Sequence, residues 1–295
     1  MVSDFTIGRS DFSVTVYVPW DCTNRCKFCS SKEDYKKRRC DFSKIKESLM
    51  LIRDSILPIV VFTGGEPSAN PKMLRELLSI VDDKIVYINT SLPKKNSDEF
   101  IDIVNRYDCI KSISISRHKT TYEEDLELLH DIVQDEVIAT IKKPVRINVV
   151  SQNEETFSIE NVKKYVERWE RIATLKGGMD TLVLNMRSDY VRQDRSKLHE
   201  MTECTLINEL AQTYFYESHT FCNVCDTCTF SKIGENKEKV FRMQYHRGIM
   251  NTAVYFGNIA ELNDLIIFQN GDICYDWDGT SDNISKFLNM IKKQS

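Results

Sequence analysis

The sequence predicts an α/β protein: a partial (βα)6 barrel of the TIM type, followed by a C-terminal α+β extension. Short β-branched apolar runs recur along the first two-thirds of the chain, and amphipathic segments with helical periodicity lie between them. This alternation implies a parallel sheet with right-handed crossovers, in which the carboxyl ends of the strands carry the chemistry. We expect the barrel to occupy residues 1–187 and the extension residues 188–295.

Six runs are predicted to be buried strands because they are apolar almost throughout, as in a parallel sheet covered on both faces. Apolar residues three and four positions apart predict the intervening helices, for example Met73, Leu74, Leu77 and Leu78. In the extension we expect a helix at about 202–216, then a strand-rich stretch and a final helix. The six predicted strands are 13–18, 59–63, 84–90, 110–116, 145–150 and 181–185.

Composition excludes several classes of protein. The chain has 295 residues, of which 41% are hydrophobic and 28% are charged, and its formal net charge is −4. This balance argues against an extended nucleic-acid-binding surface, and we find neither a membrane-spanning segment nor a signal peptide. Six of the ten cysteines fall in two tight triplets, which favours metal ligation in the reducing cytoplasm over disulfides.

The first triplet comes just after the first predicted strand, where Cys22, Cys26 and Cys29 have C-x3-C-x2-C spacing. Thiolates select iron–sulfur clusters or zinc over harder metals. A structural zinc site needs four ligands, usually in two separated pairs, so three cysteines on one loop fit zinc poorly. Three thiolates instead suit three corners of a four-iron cluster and leave the fourth iron open to another molecule.

A second motif, Gly64-Gly65-Glu66-Pro67, closes the second predicted strand. The two glycines let a ligand approach the backbone because no Cβ intrudes. Glu66 can accept hydrogen bonds from an ammonium group, and Pro67 fixes the turn before the next helix. Alone, this motif is equally compatible with an ordinary strand-to-helix turn.

Together the two motifs resemble the radical S-adenosylmethionine (radical SAM) superfamily, over roughly residues 13–185. The resemblance implies that Cys22, Cys26 and Cys29 ligate a [4Fe–4S] cluster whose open iron binds S-adenosylmethionine (SAM). It implies an enzyme that cleaves SAM reductively to methionine and a 5′-deoxyadenosyl radical, which abstracts hydrogen from a substrate carbon. It also implies an electron donor such as flavodoxin or ferredoxin.

The same resemblance implies which residues contact SAM. Gly64, Gly65 and Glu66 would hold the methionyl ammonium group, and the aromatic residue before the third cysteine would lie near the adenine. Two serines stand where the family often has a Ser-x-Asp element facing the ribose, and one asparagine lies on the strand that often contacts SAM. These further residues are Phe28, Ser114, Ser116 and Asn148.

The second triplet, Cys222, Cys225 and Cys228, has the C-x2-C-x2-C spacing that opens a ferredoxin-type cluster run, without the fourth cysteine of such a run. We expect the fourth ligand from elsewhere, and favour Cys274 over Cys204 because it lies in a turn-then-strand segment that can return to the site. A second [4Fe–4S] cluster is the prediction and zinc the alternative. The segment loosely resembles the SPASM and twitch auxiliary-cluster extensions of radical SAM enzymes.

The sequence leaves the substrate class open. Peptide or small-molecule modification is compatible with the resemblance, because peptide-modifying members commonly carry auxiliary clusters. A nucleotide or nucleoside is the alternative, because the basic run 36–39 and His118, after a predicted strand, would suit an anionic group. A non-catalytic iron–sulfur or zinc protein, such as a redox sensor, would explain both triplets but not the Gly-Gly-Glu-Pro motif.

Overall fold

A computed structural model describes residues 4–8, 11–19, 22, 24, 26, 29, 37–151, 154–188, 205–221, 225–248 and 253–292. Phe28, Cys204 and Cys222, which the sequence singled out, lie outside the described residues. The predicted α/β class is confirmed, since strands and helices alternate from β2 to β7. No helix in the described ranges is long and apolar enough to cross a membrane.

All six predicted strands are present, each within two residues of its predicted ends. The described helix of the extension is shorter than predicted, because an aromatic and β-branched segment forms a strand directly after it. The strands are β1 (Asp4–Ile7), β2 (Ser13–Val18), β3 (Ile59–Gly64), β4 (Ile85–Thr90), β5 (Ile110–Ser116), β6 (Val145–Val150), β7 (Leu182–Arg187), β8 (Phe215–Phe221), β9 (Cys225–Ile233), β10 (Lys239–Gly248), β11 (Ala253–Phe256), β12 (Ile259–Leu262), β13 (Asp264–Ile267) and β14 (Ile273–Cys274).

The helices lie between these strands and in the extension. They are α1 (Phe42–Arg53), α2 (Pro71–Ile80), α3 (Ser97–Arg106), α4 (Tyr122–Leu129), α5 (Asp135–Ile138), α6 (Ile159–Lys176), α7 (Thr205–Thr213) and α8 (Ile284–Met290), with short 3-10 turns at Pro67–Ala69, Glu154–Phe157 and Met179–Thr181.

One large sheet carries the fold, in the order β14-β13-β2-β3-β4-β5-β6-β7-β10-β9-β8. From β13 through β2 to β7 and on to β10 the pairing is parallel, whereas β14, β9 and β8 are antiparallel to their neighbours. No pairing between described strands joins the two ends, so the barrel is open. The extension therefore adds β13 and β14 to one edge of the predicted six-stranded unit and β10, β9 and β8 to the other, and β1, β12 and β11 form a separate small sheet.

The two faces of the parallel sheet differ in chemistry because side chains alternate along each strand. On the outer face, buried residues such as Ile115 and Ile147 belong to the main hydrophobic core, which also contains the fully buried Trp169 of α6. On the inner face the alternate positions are polar, including Ser116 and Asn148. The barrel lumen is therefore lined by hydrogen-bonding groups on this side instead of a packed apolar plug.

A second apolar cluster lies beside β2, away from the main core. Tyr17 packs there with Phe268, with ring centroids 5.4 Å apart, and with Trp277 at 5.9 Å. Cys274 belongs to this cluster, whereas Val16 and Val18 belong to the main core. Tyr17 therefore faces away from the main core, and the extension packs against β2 just before the first cysteine loop.

Candidate functional site

The first cysteine loop begins beyond the carboxyl end of β2. Val18 lies level with Gly64 of β3, so the cysteine loop and the Gly-Gly-Glu-Pro turn leave the same edge of the sheet. Cys22, Cys26 and Cys29 are half-buried and are not joined in disulfides. The amide of Cys29 donates to the carbonyl of Cys26 at 3.3 Å, so the backbones of these two cysteines lie close together.

Within the described ranges, His219, Asp226 and Cys228 form a group of potential metal donors whose ligand atoms lie within 4.8 Å of one another, and the thiols of the first loop are not in such a group. A zinc ion needs converging donors, whereas each thiolate of a cubane cluster binds a different iron. By its donor chemistry, three thiols on one loop, the first loop fits three corners of a [4Fe–4S] cluster.

Glu66 ties the end of β3 to the end of β4. Its side chain is 4% exposed, and Oε1 accepts hydrogen bonds from Ser68 N at 3.1 Å, from Ser68 Oγ at 2.8 Å and from the Thr90 hydroxyl. Oε2 accepts from Ser91 N at 2.8 Å and from Ser91 Oγ at 2.6 Å. These donors already match the lone pairs of both oxygens, so the carboxylate has little capacity left for a further donor.

Gly64 requires its glycine for a conformational reason. Its φ is 99°, in the region that L side chains rarely adopt. The chain turns there from β3 towards Glu66, whose side chain caps the 3-10 turn Pro67–Ala69 through Ser68 N. Sequence therefore places the glycine pair correctly at a strand end, and the structure explains the first glycine by backbone geometry.

Polar side chains form a row across the lumen face of three strands. Ser116 lies opposite Asn148, and Asn148 lies opposite Asn185. Asn185 Nδ2 donates to Asn148 Oδ1 at 2.8 Å, which fixes the asparagine amide. Ser114 lies on the same face of β5, two residues before Ser116. The structure thus brings the predicted Ser114, Ser116 and Asn148 onto one surface, and adds Asn185, which the sequence did not single out.

Two arginines on this face were also missed. Arg146 shares a face of β6 with Asn148, and Arg187 ends β7 on the face of Asn185. Arg146 is exposed on this face, and desolvation by the neighbouring protein atoms lowers the pKa of its guanidinium; the charge of Arg187 lowers it further, and Tyr87 of β4 acts in the opposite direction. These mutual influences indicate that side chains from three strands approach one another in the lumen. The period-two alternation of residues 145–150 was the available signal for Arg146.

His118 and Arg117 lie within the protein rather than at the lumen. His118 is 4% exposed, its Nδ1 accepts from Val150 N at 3.2 Å, and its carbonyl accepts from Tyr165 Oη at 2.9 Å. Burial, then the charge of Arg117, lowers the pKa of His118 to about 3. Arg117 is fully buried and donates to Ser91 O at 2.7 Å. Both side chains therefore brace strand ends, and the geometry does not support a substrate contact by His118.

Cys274 and the described part of the basic run belong to the contact between barrel and extension. The Arg38 guanidinium lies 3.9 Å from the ring centroid of Phe268, and its carbonyl accepts from Gln269 Nε2 at 2.9 Å. The Cys274 thiol is 2% exposed and donates to Gly279 O at 3.3 Å. Burial raises the pKa of Cys274 to about 11, which favours the neutral thiol.

Cys225 and Cys228 of the second triplet lie on β9, near the opposite end of the strand order from Cys274. Cys225 is disulfide-bonded, whereas Cys228 is a buried thiol. His219 of β8 lies opposite Cys228, and donor atoms of His219, Asp226 and Cys228 all lie within 4.8 Å of one another. Cys274 is not part of that group. The structure thus brings a histidine and a carboxylate, not Cys274, to this thiol.

Asp226 and Arg247 form a buried ion pair beside Cys228. Asp226 is fully buried; its Oδ2 accepts from Arg247 Nη2, and its Oδ1 contacts His219 Nε2. Arg247 is 1% exposed, and its Nε and Nη1 have no hydrogen-bond partner in the part of the chain that the structure describes. Buried donors of this kind are costly unless an acceptor is present.

Comparisons with known proteins agree with these features. The family model "Radical SAM superfamily" matches residues 21–149, which include the first cysteine loop and the Gly-Gly-Glu-Pro turn. No curated protein matches the chain. Among solved structures, SuiB of Streptococcus suis bound to its precursor peptide SuiA is similar, with a TM-score of 0.56 and 15% identity over 89% of this chain and 58% of that one.

The SAM-bound structure of SuiB matches in the same way. Its TM-score is 0.54, and the match again has 15% identity and covers 89% of this chain and 57% of SuiB. At this identity the likeness establishes a shared fold. The chain spans less than two-thirds of the length of the SuiB structures that it matches.

Proposed function

We propose that this chain, whose residues 21–149 match the radical SAM superfamily model, cleaves SAM reductively and uses the resulting radical to modify a peptide. The observation that carries this proposal is the position of three thiols at the same sheet edge as the Gly-Gly-Glu-Pro turn, beside a polar lumen. When bound, the reduced [4Fe–4S] cluster supplies the electron that splits SAM into methionine and a 5′-deoxyadenosyl radical, which removes hydrogen from a substrate carbon.

The protein's own residues would hold and orient the cofactors. Cys22, Cys26 and Cys29 would bind three irons and leave the fourth for SAM. Since the lone pairs of Glu66 are matched by protein donors, backbone carbonyls of the glycine pair would receive the ammonium group. The buried charge of Glu66 would still attract that cation through space.

The remaining SAM contacts would come from the lumen face. Ser114, Ser116 and Asn148 would donate and accept hydrogen bonds along the nucleoside, with Asn185 holding the amide of Asn148 in one orientation. Phe28 would lie near the adenine, as the family resemblance implies. Residues 1–187 would thus carry the SAM chemistry, and residues 188–295 a second metal centre, a [4Fe–4S] cluster or alternatively zinc.

A peptide is the substrate class that we favour. SuiB, whose fold this chain shares, is known in a structure with a precursor peptide. The nucleotide alternative loses support because His118 is buried and the Arg38 guanidinium stacks on Phe268. Arg146 and Arg187 would supply positive charge in the lumen for a carboxylate. A reducing cytoplasm would suit the thiols, with a flavodoxin or ferredoxin as electron donor.

The activity is tested by loading the protein anaerobically with iron and sulfide, reducing it with dithionite, adding SAM and measuring 5′-deoxyadenosine. We expect 5′-deoxyadenosine from the native protein and only background from Cys26→Ala. Cys40→Ser, which removes an exposed thiol shortly after the loop, is the matched control and should retain the native rate. If the native protein holds a verified cluster but forms no 5′-deoxyadenosine, the proposal is refuted and a non-catalytic iron–sulfur protein becomes the better interpretation.

The substrate class is tested by isotope transfer. Deuterated peptides and deuterated nucleotides, prepared as separate pools from cells grown in heavy water, are each added to the SAM cleavage reaction. Hydrogen abstraction from a deuterated carbon would place deuterium in 5′-deoxyadenosine, which mass spectrometry detects. We expect deuterium from the peptide pool; transfer from the nucleotide pool alone would replace our choice with the alternative.

A further inference from the structure

We propose that Arg146 binds a carboxylate of the substrate peptide inside the lumen, so that the radical acts beside an acidic side chain or beside the C-terminus of a peptide. This inference rests on the proposed function and names a chemical feature of its substrate. Both sources present the same planar anion, which a guanidinium binds through two parallel hydrogen bonds.

Arg146 lies on the lumen face of the sheet, among the parallel strands. It stands opposite Ser114 of β5 and Val183 of β7, and it shares its face of β6 with Asn148. Ile147, the next residue, is buried in the main core on the other face. The Arg146 side chain therefore leaves the sheet on the same side as the proposed SAM contacts, two residues nearer the amino end of β6 than Asn148.

The guanidinium of Arg146 is exposed, but it does not stand on a convex surface. Neighbouring protein atoms desolvate it and lower its pKa, which happens when a side chain extends into a concave space that solvent can enter. Among the described residues, none forms a hydrogen bond or an ion pair with Arg146. This guanidinium is therefore available to a ligand that enters the lumen.

The lumen face around Arg146 has positive charge without a carboxylate to balance it. Alternate positions of β4, β5, β6 and β7 on this face carry hydroxyl, amide, guanidinium and apolar side chains, and none of these described positions holds an aspartate or a glutamate. The charge of Arg187 lowers the pKa of Arg146, and no carboxylate of the described residues acts against it. Because two like charges repel, an anion bound beside them would stabilise both.

The carboxylate of SAM itself would lie elsewhere. The amino and carboxylate groups of SAM are attached to one carbon atom, so the carboxylate lies near the glycine pair of β3 if that pair receives the ammonium group. β4 and β5 separate β3 from β6, which places Arg146 three strands away, or about 14 Å measured along the sheet. A carboxylate at Arg146 therefore belongs to another molecule, and we favour a peptide.

The carboxylate requirement is tested by deuterium transfer from three forms of one protein sample, prepared from cells grown in heavy water. The first form is only digested with trypsin. In the second, carbodiimide and methylamine convert the carboxylates to amides before digestion, so that only the newly formed C-termini carry carboxylates. In the third, amidation follows digestion and removes every carboxylate. Each form is added to the anaerobic SAM cleavage reaction, and mass spectrometry measures deuterium in 5′-deoxyadenosine.

We expect the native protein to take at least about tenfold less deuterium from the third form than from the first, because the charge-assisted hydrogen bonds of the guanidinium are lost. A loss that is already complete in the second form assigns the carboxylate to an acidic side chain. A loss confined to the third form assigns it to the C-terminus. Equal transfer from the first and third forms would refute the proposal.

A variant series connects this preference with Arg146. Arg146→Gln should lower transfer from the first form by about tenfold and should no longer distinguish it from the third. Arg146→Lys keeps the charge without the planar fork and should recover part of the transfer. Arg242→Gln is the matched control and should retain the native transfer, since Arg242 lies on the same face, opposite Val183, and is already paired with Asp180 at 3.0 Å. If Arg146→Gln still distinguished the first form from the third, another residue would bind the carboxylate.

Two further outcomes separate this inference from the proposed function. If the native protein forms 5′-deoxyadenosine but takes no deuterium from any of the three forms, the peptide substrate fails and the ligand assigned to Arg146 fails with it. Equilibrium dialysis with labelled SAM gives the other outcome. If Arg146→Gln weakened SAM binding as much as it lowered deuterium transfer, Arg146 would belong to the SAM site, and this inference alone would be wrong.

Discussion

The two cysteine triplets have similar spacing but different surroundings. The first follows a parallel strand, and the carboxylate of Glu66 near it is already bonded within the fold. In the second, Cys225 and Cys228 lie on a strand with an antiparallel partner, and Cys228 has a histidine and a carboxylate close by. Similar cysteine spacing therefore leads to different neighbours, because the strand pairing around each triplet differs.

The largest expected effect concerns the open character of the first site. Cys22→Ala removes one of three corner ligands and should lower 5′-deoxyadenosine formation by more than about 1000-fold, or about 4 kcal/mol of transition-state stabilisation. The rate is measured anaerobically with dithionite and SAM at matched protein concentration. Cys109→Ala, which removes a buried thiol in the main hydrophobic core, is the control. Comparable rates in both variants would mean that the first loop is not the open site.

The second prediction concerns the buried hydrogen bonds that Glu66 accepts beside the first cysteine loop. Glu66→Ala leaves the buried Ser68, Thr90 and Ser91 donors without their acceptor, and should lower the free energy of unfolding by about 3 kcal/mol. Urea denaturation measures this change. Glu76→Ala, which removes only a partly exposed carboxylate paired with Lys46 at 3.3 Å, should cost less than about 1 kcal/mol. If both variants lost the same free energy of unfolding, the buried hydrogen bonds of Glu66 would not be the cause of its larger expected effect.

The third prediction is that the stability of the protein depends on pH through His118 of the barrel. The folded pKa of His118 is lowered to about 3 from an ordinary value of 6.5, so its stabilising neutral form is fully present above pH 6.5. As pH falls, the unfolded state takes up the proton first, and stability should drop by about 1.4 kcal/mol per pH unit. Between pH 6.5 and 5 the loss is about 2 kcal/mol.

This slope is measured by urea unfolding across pH 5 to 7 and compared with His118→Asn, whose side-chain oxygen can still accept from Val150 N. The variant should show a flatter profile over this interval. An unchanged slope would mean that other groups govern the acid sensitivity of the barrel.

The smallest expected effect tests the lumen face. Asn148→Ala removes one hydrogen-bonding amide and should weaken SAM binding to the loaded protein by about fivefold to tenfold, close to 1 kcal/mol. Equilibrium dialysis with labelled SAM measures the affinity. Lys111→Ala, on an exposed position of β5, should bind SAM normally. If Asn148→Ala bound SAM as tightly as the native protein, the polar side chains of the lumen face would not belong to the SAM site.

Much of the fold followed from local pattern. Runs rich in apolar residues, such as Ile110–Ser116 and Val145–Val150, predicted strands with the observed ends. A strand in a parallel sheet is covered on both faces, so apolar residues recur along its whole length. The return of β10 to β7 and of β13 to β2 was not predicted, since strand pairing depends on contacts distant along the chain. For the same reason the sequence did not single out Arg146 and Asn185 as residues of the lumen face.

The sequence alone located the first cysteine loop and the strand end that presents it, because three thiols within eight residues, followed by a glycine pair, are short-range features. Only the tertiary structure decided which side chains surround each thiol set. Strand register set His219 opposite Cys228, burial confined Cys274 to an apolar cluster, and Ser68, Thr90 and Ser91 engaged the carboxylate of Glu66. Register and burial arise from packing over the whole sheet, and the spacing of residues along a short segment does not reveal that packing.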